Sequence, residues 1–532
     1  MTTTTNLECN FTLSVRDIPN EIFEKVISYL NVEDRKIASL VCRQWSLFAF
    51  SRKALADVLL EINCAQHSAK DYWVVLEKSS RNYRNLVLNF ADDDDGCLLE
   101  ILGKFQHSLK RVSIEQDQDA RLLHTEISSD YFVQMMERFR NLKNFEVKTV
   151  FEILDNEEKR LPTLPFLETI CFYTHGLEKE WFNWFTIAPN IKCIGVPLED
   201  GKSGFPKIIN DCRQQILHLS IDARFVERDQ LEFCNEKFPR LQKLRLLYPI
   251  SLPASIETIR NFIGNCSLLT EISLFSNVIH SDTLETIANH CSQLQIVNFD
   301  ANEISPTAFA IISKLPKLCQ LILHKMTVDS AMITAAGCFS MLHQFTCLSI
   351  RINVPDAFFE QLRKKMPKLV TLELLDRFRF GINNFNQTGV VQAICNNIHS
   401  LERLALVDWA ILDTSIFGSL HKLNLITDLR LKCIGLNADK TIPPCPTLKR
   451  LILDIDSLKP TDTIPPISRP PIADVICKSF PNITTLELRK TFLDRTKISE
   501  QEVKSLRSLM PRCTVYRKTR LKMADKDYTA LL

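Results

Sequence analysis

Few stretches of this sequence place side chains where they could do chemistry. Gly201-Lys202-Ser203 has the ending of a phosphate-cradling loop, where backbone N–H groups and a lysine hold a nucleotide's phosphates. That motif needs a second glycine at position 196, where Val196 stands, and Gly195 is one residue too far. Glu199 and Asp200 beside it would repel phosphate. The spacings of a His-Glu-x-x-His zinc helix, a Gly-x-Ser-x-Gly nucleophile turn and a calcium loop are absent. The 11 histidines are dispersed; His218, His290 and His343 fall inside a repeating pattern and are expected to be packed or surface residues. The 18 cysteines form no Cys-x-x-Cys pair. Cys42 is the most tempting nucleophile, but it lacks an electropositive, histidine-paired setting and is expected to be buried in a helical face. The sequence therefore assigns no catalytic, cofactor-binding or metal-binding residue, and no cofactor.

The elements that would position any site are more informative. The chain has 532 residues, 45% hydrophobic and 24% charged, with a net charge of +2. No strong field points to nucleic acid or an anionic membrane. Glycine is scarce, 12 residues, which weighs against glycine-lined phosphate sites. No apolar run approaches the roughly 18 residues of a membrane span, and no signal peptide is visible after Met1. Reduced thiols in the cytoplasm or nucleus are expected.

After a polar tail over residues 1–15, Ile18 to Leu30 reads as a helix. Pro19 suits its first turn, and Ile22, Phe23, Val26, Ile27 and Leu30 fall on one side at helical spacing. Asn31 and Asp34 look like a capping pair opening a second helix through Ile37, Ala38, Val41 and Trp45. Two such helices cannot bury their apolar faces alone, so that surface must meet the rest of the chain or a partner. The run Ile18-Pro19-x-Glu21-Ile22-Phe23, then Val26-Ile27, Leu30, Asp34 and Val41-Cys42-Arg43-x-Trp45, resembles the F-box motif over its whole core. Ile18 departs from the usual leucine, and Arg35-Lys36 replace a usually apolar pair.

The rest of the chain repeats one figure. In Leu294-Gln-Ile-Val297-Asn-Phe299-Asp-Ala-Asn302, apolar residues stand first, fourth and sixth, and asparagine ninth. Leu269, Ile272, Leu274 and Asn277 precede it by about 25 residues and Leu318, Leu321 and Leu323 follow by about 24, inside the leucine-rich-repeat range. Roughly 17 copies can be traced from Leu55, Val58, Leu60 to Ile483, Leu486, Leu488, including Phe345, Leu348, Ile350. Helical segments lie between them, such as 281–291 and 355–366. Each unit is thus strand, turn, helix, and the chain resembles the leucine-rich-repeat family. The fold class is α/β: a leucine-rich-repeat solenoid, or horseshoe, over 55–520, with a small all-α F-box domain at 16–54 and a C-terminal tail at 521–532. Insertions are expected between Leu109 and Leu142, at 376–389, and in the proline-rich Lys459 to Pro471, which composition forbids from helix or central strand. The acidic run Asp92 to Asp95 reads as a solvated loop.

Side chains alternate along a strand, so the figure's third, fifth and seventh residues face away from the core. Phe275, Ile296, Ile322 and Leu375 are apolar there, an exposed patch of the kind that contacts proteins. Arg430, Lys432, Arg450 and Arg489 make the later repeats basic, which would suit an acidic or phosphorylated client.

An F-box followed by these repeats resembles the F-box and leucine-rich-repeat family. The resemblance implies a non-catalytic substrate receptor of an SCF-type ubiquitin ligase, whose F-box docks a Skp-type adaptor and through it a cullin, while the repeats hold a protein client for degradation. It assigns adaptor contact to Pro19, Glu21, Ile22, Val26, Leu30, Val41, Cys42 and Trp45. No nucleic acid or membrane partner is expected. The alternative is a non-ligase interaction scaffold, with the helices as a cap.

Overall fold

A computed structural model describes residues 18–64, 67–89, 96–115, 125–148, 151–153, 160–172, 184–197, 205–222, 234–247, 253–351, 354–375, 387–407, 417–433, 444–455, 472–490 and 500–518. The two tails, the Asp92–Asp95 run, the Gly201-Lys202-Ser203 triplet, the proline-rich stretch from Lys459 and most of the 376–389 insertion lie outside the described residues. The chain divides into two units, Met1–Asp222 and Ala223–Leu532.

The first unit opens with three helices, α1 (Asn20–Ser28), α2 (Val32–Ser39) and α3 (Arg43–Ala49). The expected second helix is thus two, broken at Leu40–Cys42. Pro19 stands at the N-cap of α1, where its carbonyl accepts from Phe23 N–H at 3.0 Å. The capping pair is present: Asn31 Oδ1 accepts from Asp34 N–H at 2.8 Å, and Asn31 Nδ2 donates to Asp34 Oδ2 at 2.7 Å. Strands follow as β1 (Leu59–Asn63), β2 (Asn85–Asn89), β3 (Arg111–Glu115), β4 (Thr125–Ile127), β5 (Asn144–Val147), β6 (Phe151–Ile153), β7 (Thr169–Phe172), β8 (Cys193–Pro197) and β9 (His218–Asp222). All but β4 and β6 form one parallel ladder in chain order. β4 and β6 pair with each other, so the long interval after Leu109 contributes half of a small second sheet.

The second unit is a parallel ladder of β10 (Lys243–Leu247), β11 (Glu271–Ile279), β12 (Ile296–Ile304), β13 (Gln320–Asp329), β14 (Gln344–Arg351), β15 (Thr371–Leu375), β16 (Arg403–Val407), β17 (Asp428–Cys433), β18 (Arg450–Ile455), β19 (Thr485–Lys490) and β20 (Thr514–Lys518). Parallel neighbours need a crossover, and helices supply it. Helix 281–290 buries Leu284 and Ile287, and 355–365 buries Phe359 and Leu362, as their spacing requires. His280 occupies the N-cap of the first of these.

The figure's logic is visible in the backbone. Its first, fourth and sixth residues are core: Leu294, Val297 and Phe299 are fully buried. Its second residue carries a carbonyl that accepts two N–H groups from the next repeat. Thr270 O accepts from Gln295 and Ile296 at 2.8 and 3.0 Å, and the same pair recurs from Arg84 to Lys449. Main-chain atoms alone make this bond, so the second position tolerates Lys, Gln, Thr or Glu.

Register corrects two copies of the figure. Leu60 aligns with Leu86, and Ile62 with Leu88, so the first copy's fourth and sixth residues are Leu60 and Ile62, not Val58 and Leu60. Phe345 aligns with Leu321 and Leu372; the copy is Leu342, Phe345, Cys347, all fully buried, not Phe345, Leu348, Ile350. Strand β20 was not foreseen, because Arg517 stands opposite Leu488 where the figure is apolar.

Candidate functional site

The three N-terminal helices have a small core of their own. Phe23, Ile27, Ala38 and Ala54 are buried, with Ile18, Leu30, Trp45 and Phe48 packed against them. Trp45 and Phe48 meet the Phe23 ring with centroids 5.0 and 5.1 Å away. Phe23, Ile27 and Leu30 are spaced i, i+4, i+7, one row of a helix. Ile22, Val26 and Tyr29 have the same spacing one residue earlier, a row turned by about 100°. The sequence reading merged these rows, but only one of them is covered.

The second row is bare. Ile22, Val26, Tyr29, Val32, Ile37, Leu40, Val41 and Leu47 are exposed large apolar residues, with Leu40 at 84% and Tyr29 at 77%. Isolated exposed apolar residues are ordinary, but this many on three short helices is a patch of the interacting kind. Of the residues assigned to adaptor contact, Pro19, Glu21, Ile22, Val26, Val41 and Cys42 are exposed, while Leu30 and Trp45 are half-buried against the core. Cys42 is not buried as expected: it is the extended N-cap residue of α3 and is exposed. Tyr29, Ile37, Leu40 and Leu47 were not assigned. Their signal was an apolar residue at a helical position that the core row leaves over.

Arg35, a departure from the motif, has a structural task. Its Nε donates to Ile27 O at 3.2 Å, its Nη2 to Ser28 O at 3.4 Å, and its Nη1 to Ala54 O. Ile27 and Ser28 end α1, where a cation is favoured; Ile27 O also accepts from Leu30 N–H at 3.1 Å. One guanidinium therefore closes α1 and ties α2 to the segment leading into the repeats. The Arg81 guanidinium, 3.5 Å from the Phe50 ring centroid, anchors that segment further.

On the polar face of the second unit, the described members of the expected apolar patch are partly or wholly covered. Ile322 is 7% exposed, Phe275 and Ile296 are half-buried, and Arg245 lies 4.8 Å from the Phe275 centroid. Strands about 4.8 Å apart set these side chains shoulder to shoulder, so each is shielded from both sides. The side chains of Leu375, Lys432 and Arg489 lie outside the described residues, Arg430 is half-buried, and Arg450 pairs with Glu487 at 3.5 Å. Buried carboxylates answered by more exposed cations occur in both units: Glu146 with Arg111 at 2.8 Å in the first, and Glu271 with Lys243 at 2.9 Å and Asp300 with Lys325 at 2.8 Å in the second. Lys325 has a left-handed φ of 62° where the register of β13 shifts, a strained conformation for a lysine. Asn298 is 4% exposed, and its Oδ1 has no hydrogen-bond partner among the described residues.

Among the described residues, no three His, Cys, Asp or Glu side chains could hold a metal ion, and no helix is long and apolar enough to cross a membrane.

Residues 15–55 match the F-box-like family model. No curated protein matches the chain as a relative. Two solved structures similar to it are a leucine-rich-repeat protein of Leptospira interrogans and a chain of the Toll–Spatzle complex of Drosophila. The first is 15% identical, with 86% of this chain and 100% of that one covered, at a TM-score of 0.34. The second is 14% identical, with 82% of this chain and 54% of that one covered, at a TM-score of 0.31. An F-box-like segment followed by a long ladder of strand–helix repeats describes the chain.

Proposed function

We propose that this protein is the substrate-recognition subunit of an SCF-type ubiquitin ligase. The helices of residues 16–54 bind a Skp-type adaptor, and through it a cullin. The repeats of 55–520 hold a protein client for ubiquitination and proteasomal degradation. The observation that carries the reading is the bare apolar surface: a three-helix unit closes its own core and still leaves Ile22 and Val26 of the second row, and Ile37, Leu40 and Val41 beyond it, exposed. Burying one such side chain stabilises a complex by about 1.5–3 kcal/mol, so a few suffice for a specific interface.

Catalysis in this reading is by proximity. A lysine of the client is held near a ubiquitin-charged enzyme carried elsewhere in the complex, which raises its effective concentration; this chain supplies no reacting group. Client contact falls on the polar face of β11 to β14, where an N–H from a bound chain would satisfy Asn298 Oδ1. The proposal places the receptor in cytoplasm or nucleus, without nucleic acid or membrane partners.

Co-purification of the full chain with a Skp-type adaptor tests this. Binding is expected for the intact protein and absent after deletion of residues 16–50. Binding that survives the deletion, or a client whose abundance ignores both proteasome inhibition and adaptor depletion, counts for the scaffold alternative.

A further inference from the structure

The thiols of this chain are of two kinds. Burial pushes Cys171, Cys212, Cys291 and Cys395 up to about 12, and also raises Cys234 and Cys266. Such sulfurs stay protonated and inert at neutral pH. Cys193 differs. It holds the third position of its figure, half-buried at the start of β8 on the polar side of the sheet. His218 holds the same position at the start of β9 and is its register partner. The Cys193 Sγ lies 3.3 Å from His218 Nδ1.

With the ring proton on Nε2, the thiol donates to Nδ1. Passing that proton across leaves a thiolate facing an imidazolium, the arrangement that activates a cysteine. Gly195, the next residue of β8 on this face, carries no side chain to stand over the sulfur; the Cys171 sulfur leans toward it, 3.1 Å from where a Cβ would be. Among the described residues of the flanking segments, Glu168 pairs with Lys192 at 3.3 Å just before the strands begin, Asp222 stands at the far end of β9 beside Pro197, and Glu146, with Arg111 and Lys148, lies beyond Cys171 on the next strand.

We propose that Cys193 is a modification site: a thiol activated by His218 that takes up a small-molecule thiol by exchange with its disulfide. The Cys193 sulfur attacks one sulfur of the disulfide as its own proton moves to His218. A new S–S bond forms, the old one breaks, and the departing thiolate recovers the proton from His218. The disulfide is the oxidant and leaves as one free and one protein-bound half. Cys171 does not resolve the adduct. Its register partner is Gly195, while that of Cys193 is Thr169, which sets the two Cα atoms diagonally about 8 Å apart, beyond the roughly 7 Å that a disulfide spans. The product is a mixed disulfide on the polar face, released by a further exchange with a small-molecule thiol and not by Cys171.

The test is incubation of the full-length protein with oxidised glutathione at pH 6.5, with sites and rates read by peptide mass spectrometry. Cys193 is expected to react at least about tenfold faster than the exposed Cys42 and Cys338, since an ordinary thiol near 8.5 is only about 1% thiolate there. His218→Asn is expected to slow Cys193 by about tenfold or more and leave the other two unchanged. Equal rates at the three cysteines overturn the proposal, as does a Cys193 rate indifferent to His218→Asn in a protein of unchanged circular dichroism. Should that variant unfold, the wild-type profile decides. A Cys193 rate nearly level from pH 8.5 to 6.5 supports activation; a fall of about tenfold per unit, the behaviour of an unactivated thiol, overturns it.

Discussion

The N-terminal helices and the repeat ladder treat apolar side chains in opposite ways. On α1 to α3, eight large apolar residues are exposed within Ile22–Leu47; from Leu59 to Leu509, nine are exposed among the described residues, scattered along the ladder. The ladder also covers its polar face, burying Glu271, Asn298, Asp300 and Ile322 between neighbouring strands. A repeat finds partners for its apolar residues in the copies beside it. Three short helices have no stack of copies beside them, and their second apolar row stays exposed.

The contrast can be broken most sharply by pairing two substitutions in the helices. Phe23→Ala opens the small core and is expected to destabilise it by about 3–5 kcal/mol, seen as early loss of helical signal on heating. Leu40→Asp removes an exposed side chain and is expected to leave melting unchanged. It should weaken adaptor binding by about 10- to 100-fold, from the roughly 1.5–3 kcal/mol of lost burial. In the ladder, Phe299→Ala is expected to cost a similar 3–5 kcal/mol with adaptor affinity untouched.

Next in size is Arg35→Ala. The lost bonds to the end of α1 and to Ala54 O are expected to cost about 1–3 kcal/mol, with Arg35→Lys recovering only part, since an ammonium cannot reach three carbonyls in a plane. Chemical denaturation followed at the helices measures this.

The buried thiols give the ladder a pH limit. Cys171, Cys212, Cys291 and Cys395 are raised from 9.0 to about 12 in the fold. Above pH 9 the unfolded chain releases protons the folded chain retains. The stability is therefore full below about pH 9 and falls as pH rises toward 12, by about 1.4 kcal/mol per unit for each thiol. Melting curves from pH 8 to 11 should show the decline starting near 9, and Cys→Ala variants should flatten it. The smallest effect is expected at Arg450→Ala. Its half-exposed pair with Glu487 is worth at most about 1 kcal/mol.

Most of the ladder was legible in the sequence because core burial fixes the first, fourth and sixth positions of each copy. Val58 and Phe345 mislead because apolar residues there lie close enough together to fit the figure in a second frame. Only strand register, a long-range property, separates the frames. β20 was hidden by Arg517, which takes the place the figure gives to an apolar residue. The candidate site was harder to read for a different reason. Periodicity reports that Ile22, Phe23, Val26 and Ile27 are apolar at helical spacing, but a row that faces the core and a row left exposed leave the same mark. The ion pairs of the polar face were invisible, since Lys243 meets Glu271 only once β10 and β11 are in register.

The central claim, that the bare row of α1 to α3 is an apolar socket for an adaptor, is tested most directly by calorimetric titration of the full chain with a purified Skp-type adaptor at several temperatures. The account predicts tight binding with a negative heat-capacity change, the mark of apolar burial, and loss of both in Leu40→Asp. No binding by the intact, folded chain, or equal affinity in Leu40→Asp, would contradict it.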